Sequence, residues 1–394
     1  MEKIRLGIIG VGNMGMQVSQ FVALKKECPE ITLNAICDYK EERRQWAAKT
    51  FEGLDIPLFE DAEEMMKSGL IDAVYIATPH YDHPVLAMKA FGYGLHVMLE
   101  KPAGVYTKAV REMNEAAEKA GVVFAMMFQT RTSKAFQKVK QLLESGEYGQ
   151  IRSVNWLITN WYRTQGYYDS GSWRATWAGE GGGVLLNQCP HNLDLLQWLC
   201  GMPEEIYAKC SVAQWHDVEI EDDVVATLKY PNGALGTFIT STGIKPGTNR
   251  LEIATDKGSI IVENSTKLTI KELDTFMQDH DKNPDTDCLN SPDVTEIVYN
   301  FPAEKLNRHS IMLNAFAGRI LRGEKLYAEG WEGINSLTLS NAMFLSSWTN
   351  STIKLPMDED LFYEELKKRI ATSKHKEVES VFAGAPEFNG GAKK

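Results

Sequence analysis

At 394 residues the chain has room for two or three domains of roughly 150 residues each. Its 43% hydrophobic and 24% charged content is that of an ordinary globular protein. A formal net charge of -11 excludes a nucleic-acid backbone as natural partner, because that attraction needs a basic surface.

No apolar run reaches the roughly 18 residues of a membrane span, so no membrane partner is expected. The opening MEKIRLGIIG enters a strand pattern at once and leaves no room for a signal peptide. Cys28, Cys37, Cys189, Cys200, Cys210 and Cys288 form neither CxxC pairs nor a regular framework. They read as reduced, mostly buried thiols of a cytoplasmic protein.

The first element is the apolar strand IRLGIIG, followed by GVGNMG and a helical stretch, MQVSQFVALKKE. Gly10, Gly12 and Gly15 have the spacing of a dinucleotide turn. Gly10 permits the tight turn, Gly12 lets a pyrophosphate approach the backbone, and Gly15 lets helix and strand pack closely. Asn13 and Met14 lie inside the turn and count with it as cofactor-binding residues. The second strand, ITLNAICD, ends on Asp38, 23 residues after Gly15. An acid there accepts hydrogen bonds from ribose hydroxyls and repels a 2′-phosphate, favouring NAD over NADP. Arg43 and Arg44 follow closely and leave NADP open.

Strand and helix continue to alternate. Residues 71–77, 95–100 and 122–128 read as buried strands, with helices at 82–91 and 106–119. That alternation implies a parallel, doubly wound sheet, with ligands beyond the carboxyl ends of its strands. ATPHYDH, EKPAG and FQTR all sit at such ends, so three loops converge on one crevice.

A glycine-rich entry then leads into LLNQCPHNLDLLQWL. At helical spacing Asn187, His191 and Asp194 share one face. Pro190 loses a hydrogen bond in mid-helix, so the helix bends or begins afresh just before His191. Alone, His191 could be a satisfied core histidine, and Asp194 reads as structural or orienting.

The ordered set of glycine turn, ATPHYDH, EKPAG and the helix carrying His191 and Asp194 resembles the glucose–fructose oxidoreductase / inositol dehydrogenase / MocA family (Gfo/Idh/MocA). The resemblance spans Met1 to about Gly201. It implies an α/β fold: a Rossmann domain, taken as residues 1–128, and a C-terminal α+β domain on a large open antiparallel sheet, taken as 129–394. It also implies NAD(P)-dependent chemistry on a secondary alcohol of a sugar or cyclitol. Lys101 of EKP would be the acid/base and His191 would meet the substrate hydroxyl. Thr78, Pro79, His80, His83 and Glu100 would line the cofactor. Gln129, Arg131, Trp173 and Arg174 match positions facing cofactor or substrate. One position departs: the family usually has Asp where this chain has Asn187. An amide hydrogen-bonds through both its C=O and NH2 but does not titrate, so Asn187 is expected to hold a substrate hydroxyl and leave proton transfer to Lys101 and His191.

The residues support the same chemistry independently. Desolvation and a cationic nicotinamide would both lower the Lys101 pKa toward working pH. Pro102 biases Lys101 toward an extended backbone. His80 with His83, and Cys189 with His191, lack further ligands at metal-site spacing, so no metal is expected. The aromatic segment 155–177 offers flat apolar faces with polar edges suited to a sugar. Trp156 reads as sheet core, and Tyr162, Tyr168 and Trp173 as pocket candidates.

Beyond residue 200 come consecutive strands with hairpin chemistry at PNG (231–233) and DKG (256–258). A polar insertion is expected at 273–294, helices near 306–322, 331–349 and 358–371, and a frayed tail over 388–394. An open sheet face commonly buries itself against a copy, so a homo-oligomer is expected. The leading expectation is an NAD-dependent sugar or cyclitol dehydrogenase. The alternatives are a hidden-redox glycosidase or lyase, which returns the hydride within each cycle, and a non-catalytic NAD-binding regulator.

Overall fold

The computed structural model describes residues 3–283, 289–302 and 306–374. Cys288 and the expected tail at 388–394 lie outside the described residues. So do residues 284–288 of the expected insertion.

The first layer is a parallel sheet of β1 (Ile4–Ile9), β2 (Ile31–Cys37), β3 (Leu58–Phe59), β4 (Ala73–Ile76), β5 (His96–Leu99) and β6 (Phe124–Met126). Its strand order is β3-β2-β1-β4-β5-β6, the doubly wound arrangement expected from the alternation. β4 and β5 are almost continuously buried, as strands are when helices cover both faces. The connecting helices are α1 (Asn13–Ala23), α2 (Glu41–Thr50), α3 (Ala62–Lys67), α4 (Asp82–Gly92) and α5 (Thr107–Ala120). After β6 come a short 3-10 turn over 129–132, α6 (Lys134–Glu144) and, past the next strand, the short α7 (Gln165–Asp169).

The second layer is a nine-stranded sheet. Its members are β7 (Ile151–Ile158), β8 (Glu205–Val212), β9 (Glu221–Lys229), β10 (Leu235–Ser241), β11 (Asn249–Thr255), β12 (Gly258–Glu263), β13 (Lys267–Leu273), β14 (Val294–Asn300) and β15 (Ile353–Lys354). The order is β14-β13-β12-β11-β7-β10-β9-β8-β15. PNG and DKG join the antiparallel pairs β9/β10 and β11/β12, as their turn chemistry requires. The expected antiparallel sheet is corrected at one place: β7 and β10 run parallel, which makes the sheet mixed. β7 arrives from the first layer and inserts between β10 and β11, which follow each other in sequence. Its alternating residues Val154, Trp156 and Ile158 are buried, and Trp156 is core as expected. The span 273–294 is less irregular than expected, since it contains the short helix α9 (Met277–Lys282) and the start of β14.

The glycine-rich segment also departs from one continuous helix. Val184–Gln188 forms a π turn, and α8 (Pro190–Cys200) begins afresh with Pro190 in its first turn. Proline suits that place because its missing N–H would have no partner there anyway. α10 (Arg308–Arg322), α11 (Gly333–Thr349) and α12 (Glu359–Thr372) match the three helices expected near the end. They fold back on the first layer. Asn341 of α11 accepts from Thr107 N (3.1 Å) and donates to Val105 O (3.0 Å), holding the loop that enters α5.

Arg131 joins the layers. Its guanidinium bonds both carboxylate oxygens of Asp194 on α8 at 2.8 and 2.7 Å, and Glu332 at 2.9 Å. Arg131 is 1% and Asp194 0% exposed. Removing one partner strands a buried charge, which costs about 3–5 kcal/mol. Asp194→Ala is therefore expected to lower the unfolding free energy by about that amount. Denaturant melting checks it, and an unchanged midpoint would deny the pair a structural role.

Candidate active site

The loops at the carboxyl ends of β1, β2, β4 and β5 open onto a cleft of about 460 Å³, closed on its far side by residues 173, 174 and 187. Its near wall is the glycine turn. Gly10 has φ +89°, a conformation that side chains rarely adopt. A Cβ on Gly15 would overlap the Gly10 carbonyl oxygen. A Cβ on Gly12 meets nothing within 4 Å and projects into open space. The turn thus leaves a cradle where α1 offers unpaired backbone N–H groups, with no acid in its first turn to compete for them.

Asp38, just past β2, accepts from Val11 N (2.7 Å) and Lys40 N (2.9 Å). Each oxygen keeps acceptor capacity beyond these bonds, and the residue lines the cleft. Arg44 is tied to the Asp38 and Tyr39 carbonyls and to Glu60, and Arg43 donates to Val11 O at 3.1 Å.

Thr78, Pro79, His80 and His83 follow β4 and line the same cleft, as do Glu100 and Lys101 after β5. His83 faces two carbonyl oxygens, Pro102 O at 2.7 Å and Thr78 O at 2.9 Å. Burial pushes its imidazole down to about 4. A neutral ring donates to only one of the two. Its role is to brace the β4 and β5 loops against each other. Glu100 is buried, accepts from the Tyr75 hydroxyl and sits 3.7 Å from His309 Nε2. Burial raises its pKa, and the Lys101 ammonium opposes that rise.

Lys101 Nζ donates to the backbone carbonyl of Asn187 at 2.9 Å. Desolvation lowers its pKa, with Glu100 pulling the other way. The Asn187 amide in turn donates to the carboxylate of Glu180, itself 1% exposed. His80 Nδ1 meets the Glu180 carbonyl at 3.0 Å, and its ring packs edge-on to Trp173 at 5.5 Å. The Arg174 guanidinium lies 4.5 Å from the Trp173 ring centroid and donates to Tyr167 Oη at 2.9 Å.

His191 stands in the first turn of α8 beside Phe128, at 6.2 Å between ring centroids. Burial, then the Lys101 charge, hold its pKa well below the usual histidine value. Thr78 Oγ1, Gln129 Oε1, His191 Nδ1 and His309 Nε2 are buried polar atoms without a hydrogen-bond partner. Orphaned atoms of this kind ask for a ligand. Thr78 lines the cleft, and with the glycine cradle and Asp38 it fits a dinucleotide whose far end reaches toward Lys101. Gln129, His191 and His309 do not line the cleft, although the Lys101 charge acts on both histidines.

The shared face of Asn187, His191 and Asp194 does not survive the π turn. Asn187 turns to Lys101 and Glu180, whereas Asp194 turns to Arg131. Arg131 is thereby engaged in the interior rather than in the cleft. Tyr168 is 1% exposed with its hydroxyl on Thr242 Oγ1 at 2.8 Å, and Tyr162 is 43% exposed; neither lines the cleft. Glu180 and His309 are the residues that the motifs did not point to. Among the described residues no group of three or more acidic, histidine or cysteine side chains could hold a metal. Cys28, Cys37, Cys189, Cys200 and Cys210 are unpaired.

Two family models match the chain. The oxidoreductase family, NAD-binding Rossmann fold, matches residues 4–128, and the GFO/IDH/MocA C-terminal domain matches 136–261. Myo-inositol 2-dehydrogenase of Thermotoga maritima is 27% identical over 273 residues, covering 68% of this chain and 77% of that protein. D-glucoside 3-dehydrogenase of Escherichia coli is 26% identical over 258 residues, 60% and 70% of the two chains. Among solved structures, the WlbA dehydrogenase of Bordetella pertussis in complex with NADH and UDP-GlcNAcA is 28% identical, with a TM-score of 0.74 over 91% of this chain and all of that one. Levoglucosan dehydrogenase in complex with NADH has a TM-score of 0.75 at 20% identity, covering 91% of this chain and 100% of its own, which shows the shared fold. The chain belongs to the Gfo/Idh/MocA family of NAD-binding oxidoreductases.

Proposed function

We propose that the protein is an NAD-dependent dehydrogenase of a secondary alcohol on a sugar, glycoside or cyclitol, with Lys101 and His191 as its acid/base pair. One observation carries this reading. A desolvated lysine stands at the carboxyl end of β5, in a cleft that also contains the glycine cradle and Asp38. Relatives named for dehydrogenation of myo-inositol and a D-glucoside support the substrate class.

Bound nicotinamide supplies the hydride acceptor. Lys101 supplies the base: its lowered pKa makes the neutral amine accessible closer to working pH, so Nζ can take the hydroxyl proton. Neutral His191, with Nδ1 free of protein partners, hydrogen-bonds the same hydroxyl. Trp173 offers an apolar ring and Arg174 a fork of donors on the cleft wall. Asp38 favours NAD because a 2′-phosphate would lie against its carboxylate. Leu157, Val225 and Leu235 are 38–64% exposed on strands of the second sheet whose alternate residues are buried. That uncovered face supports a homo-oligomer.

Three outcomes test the reading. Asp38→Ser should weaken NAD use while relaxing rejection of NADP; equal catalytic efficiency with both cofactors in the unaltered protein would remove Asp38 from cofactor choice. Lys101→Ala should lower turnover by about 100-fold or more, within the range of general acid–base catalysis, with little change in NAD affinity. Oxidation by the unaltered protein should quicken as pH rises and Lys101 loses its proton. The lowered pKa places that limb below the ordinary lysine range, and the limb should vanish in Lys101→Ala. Near-normal turnover in the variant would take Lys101 out of the mechanism.

A further inference from the structure

We propose that Glu180 is a positioning residue for the substrate: its carboxylate fixes the Asn187 amide so that only the acceptor oxygen, Oδ1, faces the substrate hydroxyl. The proposal rests on the dehydrogenase reading and assigns a residue that no motif marks.

Glu180 precedes the glycine run 181–183 and is 1% exposed. Its two oxygens have defined donors. Oε1 accepts from Asn187 Nδ2, with Arg174 Nη1 at 3.8 Å, and Oε2 accepts from Ala175 N at 2.7 Å. A carboxylate in the interior needs such donors, because an unpaired buried charge is costly. An ionised carboxylate can only accept, so the amide must turn its NH2 toward Glu180. The other end of the amide, Oδ1, is then left for the cleft that Asn187 lines. Among the described residues no donor reaches that oxygen.

The backbone of Asn187 is held as firmly. Its N–H donates to Gly183 O at 2.9 Å and its carbonyl accepts from Lys101 Nζ at 2.9 Å. Glu180 thus fixes the acceptor on the same residue that holds the base. A free amide can either donate or accept; this one can only accept from the substrate. The departure from Asp at position 187 becomes intelligible on this basis. Asp beside Glu180 would set two carboxylates against each other. Asn with Glu180 behind it keeps an acceptor in the cleft and moves the negative charge back toward Arg174 and Lys101.

A reciprocal exchange tests the proposal. Steady-state kinetics would be measured for the unaltered protein, Glu180→Gln, Asn187→Asp and the double variant, with NAD and a panel of D-glucose, methyl β-D-glucoside, UDP-N-acetylglucosamine and myo-inositol. NADH affinity and thermal midpoint are followed in parallel. Each single variant should raise KM by about 10- to 100-fold, the scale of one charge-assisted hydrogen bond, with a smaller loss in kcat and NADH affinity within about twofold. In the double variant the amide now at position 180 donates to the carboxylate now at position 187. An acceptor again faces the cleft, and KM should return to within about threefold of the original. Should Glu180→Gln alone fail to fold, rescue is still read between Asn187→Asp and the double variant. Additive losses in the double variant, or single variants that alter thermal midpoint but not KM, would overturn the positioning role. Absence of turnover by the unaltered protein across sugars and cyclitols would instead overturn the dehydrogenase reading beneath it.

Discussion

A partly buried ammonium has to be hydrogen-bonded, and Lys101 meets that demand on the carbonyl of Asn187. This bond joins the loop after β5 to the π turn before α8, two segments 86 positions apart in sequence. Each partner is anchored in turn. Asn341 holds the loop after Lys101, and Glu221 accepts from Gly183 N and Leu185 N at 2.8 and 2.9 Å, holding the start of the π turn. A lysine fixed by this much protein needs little rearrangement to serve as the proposed base, which is where most of the advantage of an electrostatic site lies.

Burial sets the electrostatics around that bond. Glu100, Glu180 and Glu221 are all pushed upward by desolvation, Glu221 to about 8. Lys101 and the histidines at 80, 83, 191 and 309 are pushed downward by the same cause. Desolvation thus pushes the acids and bases of one small volume toward their neutral forms, the pattern expected where protons are exchanged near neutral pH. At Glu180 the Arg174 charge and the Ala175 N–H and Asn187 Nδ2 donors oppose that push and favour the carboxylate.

Local signals carried the first layer well. Strand, glycine turn, helix and a terminal acid each follow from neighbouring residues, and Pro190 marked the restart of α8 without help from tertiary contacts. What escaped depends on distance or on broken periodicity. The 3.6-residue spacing put Asn187, His191 and Asp194 on one face, but the π turn shifts the phase between them. His309 reaches Glu100 from α10, about half the chain away, and no local pattern announces that return. Glu180 sits in an aperiodic loop, where a carboxylate reads as solvated surface until its donors are seen. Tyr168 shows the converse: an aromatic in a pocket-rich segment was drawn into the core, where Thr242 satisfies its hydroxyl. The parallel β7/β10 pair was equally invisible, because strand order is a property of the sheet and not of either strand.

The most direct test of the central claim is a stoichiometric one. Purified protein would be incubated with NAD and, in turn, free sugars, glycosides and cyclitols, while NADH and sugar products are quantified together. The account predicts net NADH in a one-to-one ratio with an oxidised polyol, and loss of that signal in Lys101→Ala. Cleavage of a glycoside with no net NADH, or binding of NAD with no turnover of any polyol, would contradict it.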